Sequence, residues 1–313
     1  MNKESRIFVA GGRGLVGSAI VRRLTEAGYT HVDAPSRTEL DLADKKKVGE
    51  HFDRTKPEFV FVAAAKVGGI LANQSQPVEF LLENLAIQNT LIPLSHAHGV
   101  KKLLFLGSTC IYPKHAEQPI KESALLTGPL EPTNEAYAIA KIAGIKLCQA
   151  YRNQYGFDAI CAQPTNLYGQ NDNFSPTGSH VIPGIVRKIY QAKLDDASTV
   201  TCWGSGSPLR EFLFVDDLAD ACIFLMNTYS GDGIVNVGTG EETSISALTQ
   251  LICDKLGWHG SIVWDTSKPD GTPRKVCDVS LLRSMGWAPK VSLDEGLDRT
   301  LAWFAANQES FRG

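Results

Sequence analysis

The chain has 313 residues, 43% of them hydrophobic, enough to bury a large core as one big α/β unit or as two packed domains. Its 31 basic and 34 acidic side chains sum to a net charge of -3, which excludes the basic field that draws nucleic acid, so a phosphorylated ligand has to be held locally. No apolar run approaches the roughly 20 residues of a membrane span, and Met1 to Ser5 leads straight toward a strand with no signal-peptide core, so a cytoplasmic protein without a membrane partner is expected.

In chain order, short β-rich apolar runs alternate with longer segments of helical periodicity. Strands are expected at Arg6 to Ala10, His31 to Pro35, Glu58 to Ala63, Leu103 to Gly107 and Ala159 to Ala162, with helices near 15–27, 44–54, 77–97 and 134–155 between them. Repeated βαβ units of this length build a Rossmann-type, doubly wound parallel sheet. After Gly169 the segment Asn171 to Ser179 turns polar and later elements become less regular. Residues 1–170 are therefore expected to bind a dinucleotide and 171–313 mainly a substrate, as a smaller, interleaved C-terminal domain. Phe212 to Asp217, an apolar helix to Tyr229 and Ile234 to Gly238 read as a βα unit that rejoins the first sheet, so segment 212–238 interleaves the border. Asp216 and Asp217 read as an N-terminal cap of that helix. Seven cysteines without a CxxC pair, and His96 and His98 two residues apart at a helix end, point to neither a disulfide framework nor a metal site.

The first strand runs into Gly11-Gly-Arg-Gly-Leu-Val-Gly17, a Gly-x-x-Gly-x-x-Gly spacing at Gly11, Gly14 and Gly17. The first glycine permits a tight turn, the second lets backbone approach a pyrophosphate, and the third allows close packing of helix on strand. With Gly12, Arg13, Leu15 and Val16, these residues form the expected cofactor cradle, whose helix-start amides meet the anion. Charge at the end of the second strand selects the cofactor, because an acid grips a ribose 2'-hydroxyl whereas arginine tolerates a 2'-phosphate. Arg37, with Arg13, favours NADP(H); Asp33 is the opposing residue and is expected inside the strand.

Tyr137-Ala-Ile-Ala-Lys141 sets a phenol and an ammonium on one helical face. A fixed cation favours the phenolate of a group whose ordinary pKa of about 10 otherwise makes it a poor proton carrier near neutrality. Ser108 stands at the end of the fourth strand, where ligands of doubly wound sheets sit, and is suited to bond a substrate carbonyl. Cradle, Ser108, Tyr137 and Lys141 together resemble the extended short-chain dehydrogenase/reductase family along nearly the whole chain.

Five further segments narrow the resemblance: Ala63-Ala-Ala-Lys-Val-Gly-Gly-Ile70, Ser108-Thr-Cys-Ile-Tyr-Pro113, Ser179-His-Val-Ile-Pro183, Trp203-Gly-Ser-Gly-Ser-Pro-Leu-Arg-Glu-Phe212 and Lys268-Pro-Asp-Gly-Thr-Pro-Arg-Lys275. They are similar to the GDP-L-fucose synthase family. That resemblance implies epimerisation of GDP-4-keto-6-deoxy-D-mannose at C3 and C5, then reduction at C4 with NADPH to GDP-L-fucose. It implies Cys110 as base and His180 as acid, and a homodimer. It also implies Lys188 (or its neighbour Arg187) and Arg210 on the diphosphate, Trp203 against nucleotide or sugar, and Asp270 on hydroxyls. On the cofactor side it implies Asp41 and Leu42 near the adenine, Leu106, Gly107, Ser108 and Thr109 along the strand end, Pro164, Thr165, Asn166 and Leu167 near the nicotinamide, and His180. A 4-epimerase or 4,6-dehydratase of the same fold usually retains NAD, which sits poorly with Arg37, and a dehydratase wants an acid where Thr109 and Cys110 stand. A nucleotide-sensing regulator would have no use for an intact Ser108, Tyr137 and Lys141.

Overall fold

The computed structural model describes residues 1–308 except 177 and 269. Six parallel strands form its main sheet: β1 (Arg6–Ala10), β2 (His31–Asp33), β3 (Phe59–Val62), β4 (Lys102–Leu106), β5 (Ala159–Pro164) and β6 (Ile234–Val237). Their spatial order is β2-β1-β3-β4-β5-β6, so the chain reverses direction across the sheet between β1 and β3. Strand ends beside such a reversal leave a crevice for a ligand. β3 and β4 are apolar almost throughout because both faces are covered.

Helices α1 (Leu15–Glu26), α2 (Lys45–Thr55), α3 (Pro77–Ala97), α4 (Glu135–Tyr155), α5 (Val181–Leu194) and α6 (Val215–Thr228) do the covering and connecting. α1 and α6 bury Ile20, Leu24, Leu218 and Leu225 on one face of the sheet. α2, α3 and α4 bury Phe52, Leu91 and Ile145 on the other. A third core gathers Ile185 and Ile189 of α5 with Leu248, Ile252 and Phe304. It lies under the strand pair Thr199–Trp203 and Ser261–Asp265 and the helices Ile245–Leu256 and Leu293–Ala306.

Element types and order follow the expected pattern, with two corrections. Of segment 212–238, only α6 and β6 belong to the large sheet and its cover; Phe212–Phe214 pairs instead with Asn166–Tyr168. Three apolar residues carry no partner preference, and the partner is decided by where the chain emerges from β5. Asp216 and Asp217 do not cap α6, whose N-cap is Phe214. Asp216 pairs with Arg22 of α1, and Asp217 Oδ2 accepts from Lys290 N at 3.0 Å and Val291 N at 2.9 Å. Of the expected domain 171–313, residues 309–313 lie outside the described residues, as does Pro269 of the last motif.

Candidate active site

The glycine loop leaves β1 through Gly11, whose φ of +83° suits glycine. A Cβ there would lie 2.8 Å from Ala64 N, and one on Gly17 would lie 2.0 Å from Gly11 O, so both glycines are required by packing against the protein itself. Gly14 differs: the nearest atom to its Cβ would be Gly11 O at 3.6 Å, an ordinary contact. Its bareness therefore serves the open side of the loop. Gly14 is also the N-cap of α1 and offers no side chain to the first amides, leaving them for an anion. These features fit a dinucleotide pyrophosphate.

Arg13, Ser36, Arg37, Thr38 and Glu39 line one open pocket beside this loop. Arg13 lies 3.9 Å from Glu39 and Arg37 3.9 Å from Glu83, and both arginines are mostly exposed, so these loose pairs can be exchanged for a phosphate. Glu39 has no counterpart in the sequence reading. It accepts from Ser36 N and Ser36 Oγ, each at 2.7 Å, and those bonds hold its carboxyl below the usual range. β2 is shorter than expected and ends on Asp33, which therefore stands at the strand tip and not inside it; its carboxylate is engaged by His51 Nε2 at 2.5 Å, and it is not among the residues lining the pocket. Asp41 bonds Ala43 N at 3.0 Å, and Leu42 packs on the core beneath.

Beyond β4, Gly107 fits against Gln163, whose Oε1 would lie 1.8 Å from a Cβ at that position. The same oxygen accepts from Ser108 N at 3.0 Å. Ser108 then caps a one-turn helix, Thr109–Ile111, by accepting from Cys110 N at 3.4 Å. The turn is held at its far end by Tyr112, whose hydroxyl donates to Asn236 Oδ1 at 2.6 Å. Cys110 is thus fixed between two buried amides, Gln163 and Asn236, neither of which the sequence reading singled out.

α4 brings Tyr137 and Lys141 to the same place. Lys141 Nζ donates to Leu106 O at 2.8 Å and sits 4.9 Å from the centroid of Phe105 and 5.8 Å from that of Tyr137. Burial lowers Lys141 to about 8, with Cys110 opposing. Burial pushes the Tyr137 phenol well up, Cys110 adds to this, and the Ser108 hydroxyl opposes it. The expected pull of Lys141 on Tyr137 toward phenolate is not met, because the ammonium is turned to the Leu106 carbonyl. A protonated phenol is the form that can donate.

Burial also raises the Cys110 thiol, opposed first by the charge of Lys275, then by Ser108 and Lys141. Lys275 reaches Cys110 through a small sheet in which Arg274–Lys275 runs parallel to Leu209–Arg210, so Lys275 and Arg210 stand side by side. Crowding lowers both cations, and Asp270 opposes this for Arg210. The last motif of the sequence ends on Lys275, but nothing in its spacing pointed to the thiol.

His180 arrives from the other side as the N-cap of α5. Its loop is docked on Gly69, where a Cβ would lie 2.7 Å from Ser179 O. Neighbouring Gly68 sits against Phe80, whose ring meets Tyr137 edge-on at 6.2 Å. His180 opens to solvent yet lies among crowded protein atoms, which lower its pKa. Farther out, Lys188 Nζ bonds Thr201 O at 3.2 Å and lies 5.8 Å from the centroid of Trp203, as does Lys268 Nζ on the same exposed ring. Arg187 is committed to Phe174 O at 2.9 Å, which leaves Lys188 at the cleft. Asp270 is held by Ser205, whose N and Oγ donate at 2.6 and 2.9 Å. Pro164 ends β5; Thr165 and Asn166 both turn their side chains to Glu211 O, at 3.4 and 2.8 Å, so this segment offers a ligand its backbone and Leu167.

A dinucleotide cradle at a sheet reversal, with serine, tyrosine and lysine at the neighbouring strand end, defines a short-chain dehydrogenase/reductase. The model of the NAD dependent epimerase/dehydratase family matches residues 7–238. The chain is 59% identical to Putative GDP-L-fucose synthase 2 of Arabidopsis thaliana over 98% of its own length and 94% of that protein. It is 50% identical to GDP-L-fucose synthase of Escherichia coli K12 over 100% of both. The crystal structure of a GDP-L-fucose synthetase from Naegleria fowleri bound to NADP superposes with a TM-score of 0.91 at 30% identity, covering 100% of this chain and 98% of that one. The chain belongs to the NAD dependent epimerase/dehydratase family, and within it to the group of the GDP-L-fucose synthases.

Proposed function

We propose that this chain converts GDP-4-keto-6-deoxy-D-mannose to GDP-L-fucose by epimerisation at C3 and C5 and NADPH-dependent reduction at C4. The observation that carries the reading is the placement of Cys110 on the same short turn as Ser108, beside Tyr137 and Lys141. A simple ketone reductase has no use for a thiol there. In this reading Ser108 and Tyr137 bond the C4 oxygen and stabilise the enolate that forms when Cys110 takes a proton from C3 or C5. His180 returns a proton on the opposite face, where its loop opens to solvent that can resupply the imidazole. NADPH supplies hydride to C4, and Tyr137 gives its proton to the oxygen. Arg210 and Lys188 neutralise the diphosphate, Trp203 stacks on nucleotide or sugar, and Asp270 accepts from hydroxyls. Mixing the protein with NADPH and the keto sugar should consume the reduced cofactor, read by its absorbance; no loss of signal would sink the substrate assignment.

NADP(H) is held in this reading by residues 11–17, Arg37, Asp41 and Leu42, Leu106 to Thr109, Lys141, Pro164 to Leu167 and His180. Arg37→Ala should lower the preference for NADPH over NADH by about 10- to 100-fold, the worth of one charge-assisted bond to the 2'-phosphate. The ratio of kcat/KM for the two cofactors measures it, and an unchanged ratio would remove Arg37 from the phosphate site.

Lys141 supplies a charge to the nicotinamide ribose and titrates at about 8 in the unliganded protein. NADPH affinity should therefore be level below that pH and fall as pH rises through it; Lys141→Met should flatten the fall, as read by NADPH titration. The sign for stability is opposite. Between about pH 8 and the ordinary lysine range near 10.4 the unfolded chain holds this proton and the folded chain does not, so the group's contribution rises with pH across that window.

We assign residues 1–170 with segment 212–238 to cofactor binding and 171–313 mainly to substrate, in keeping with the separate third core. A homodimer accords with the exposed Val78 and Leu82 of α3 and Ile139 of α4, apolar residues on two helices packed side by side. A cytoplasmic setting accords with seven free, buried cysteines. Among the described residues no helix is long and apolar enough to cross a membrane.

A further inference from the structure

A cavity of about 50 Å³ lies on the protein side of Cys110 and is lined by Glu131, Asn134, Lys114 and Lys275 among others. That volume has room for about three to five waters, since each needs roughly 10–15 Å³ of such space. Its wall carries two buried acceptors, Glu131 Oε2 and Asn134 Oδ1, that have no hydrogen-bond partner among the described residues. Lys114 Nζ comes within 3.0 Å of Glu131 Oε2 as an ion pair, but without hydrogen-bond alignment. Buried acceptors facing a polar space of this size are the usual setting of ordered water. The local fold builds the wall at the entry to α4: Glu131 is the N-cap and Asn134 the last residue of the short helix Pro132–Asn134, six and three residues ahead of Tyr137.

The chemistry assigned above creates a need for such a space. One thiolate serving both C3 and C5 must lose the first proton before it can take the second, and Cys110 is only 6% exposed. We propose that Glu131 relays the proton of Cys110 to solvent through water in this cavity, resetting the base between the two epimerisations. The inference rests on the epimerase reading. In the first half, the C3–H bond breaks, an S–H bond forms, and the electron pair moves into the enolate at the C4 oxygen; His180 then gives a proton to C3 from the other face. In the second half the S–H proton passes to a cavity water, which gives a proton to the Glu131 carboxylate. Glu131 releases it at the rim beside Lys114, whose side chain is 34% exposed. His180, open to solvent, takes up a proton there to replace the one given to C3; the restored thiolate, favoured by the Lys275 charge, then repeats the step at C5.

The test is the partition of label in D2O. In the unmodified enzyme, brief reaction with keto sugar and mass spectrometry should give mainly doubly deuterated product. In Glu131→Gln, singly deuterated sugar should accumulate, with the second exchange at least tenfold slower than the first, and added imidazole buffer should speed the second exchange. Asn134→Leu, which fills the cavity without changing a charge, should give the same partition and serves if the first variant fails to fold. Melting temperature and NADPH binding report that each variant is intact. A doubly deuterated fraction equal to that of the unmodified enzyme, or both exchanges falling together with no response to buffer, overturns the relay. Absence of any exchange in the unmodified enzyme overturns the epimerase reading instead.

Discussion

Cys110→Ser should slow exchange of the C3 and C5 protons with D2O by about 10²- to 10⁴-fold, the range for loss of a positioned base, while hydride delivery to C4 falls far less. The thiol is surrounded by Ser108, Lys141 and Lys275, and two of these are cations that favour the deprotonated form. A serine hydroxyl fills nearly the same volume in this buried turn, so Gln163 and Asn236 still hold both ends and Ser108 keeps its place. What is lost is acidity. The remaining reduction should yield a C4-reduced sugar that has not been epimerised, visible as NADPH consumption without deuterium uptake at carbon. Exchange at the unmodified rate would mean that another group is the base.

Tyr137→Phe should produce the reverse pattern: NADPH oxidation lower by about 10²- to 10⁴-fold for want of the proton donor, with label still entering C3 and C5. Phenylalanine retains the edge-on packing against Phe80 at 6.2 Å, so α4 has no reason to shift. The crowding of protein atoms that pushes the phenol of the partly buried Tyr137 up also keeps it protonated across the working range, and its loss removes a donor, not a charge. Deuterated keto sugar should accumulate in D2O and be trapped by borodeuteride for mass spectrometry. Equal suppression of exchange and reduction would show that Tyr137 carries most of the enolate stabilisation, leaving Ser108 a minor part.

Much of this site was legible from local pattern. Gly11, Gly14 and Gly17 could be read because a tight turn, a bare approach and a close helix each demand glycine at a fixed spacing, and the clashes at Gly11 and Gly17 bear out two of those demands. Tyr137 and Lys141 could be read because four residues make one helical turn. Asp33 was misplaced, because the strand ends on it two residues earlier than its β-rich pattern suggested, and it is the remote His51 that occupies its carboxylate. Asp216 and Asp217 were misread because a helix start predicts a cap, whereas Arg22 and the Lys290–Val291 backbone, remote in sequence, compete for the same carboxylates.

The sequence by itself determined the βαβ order, the cradle, the Ser108, Tyr137 and Lys141 set and the Arg37 signal. These depend on periodicities of two and 3.6 residues and on turn chemistry, which act over short stretches of chain. Tertiary structure alone decided that Glu39 shares the Arg13 pocket, that Lys141 faces the Leu106 carbonyl, and that Lys275 comes to Cys110. It also decided that Gln163 and Asn236 clamp the turn between Ser108 and Tyr112. Those partners lie about 25 to 165 residues apart, and no local preference encodes a contact made only when separate strands and loops meet.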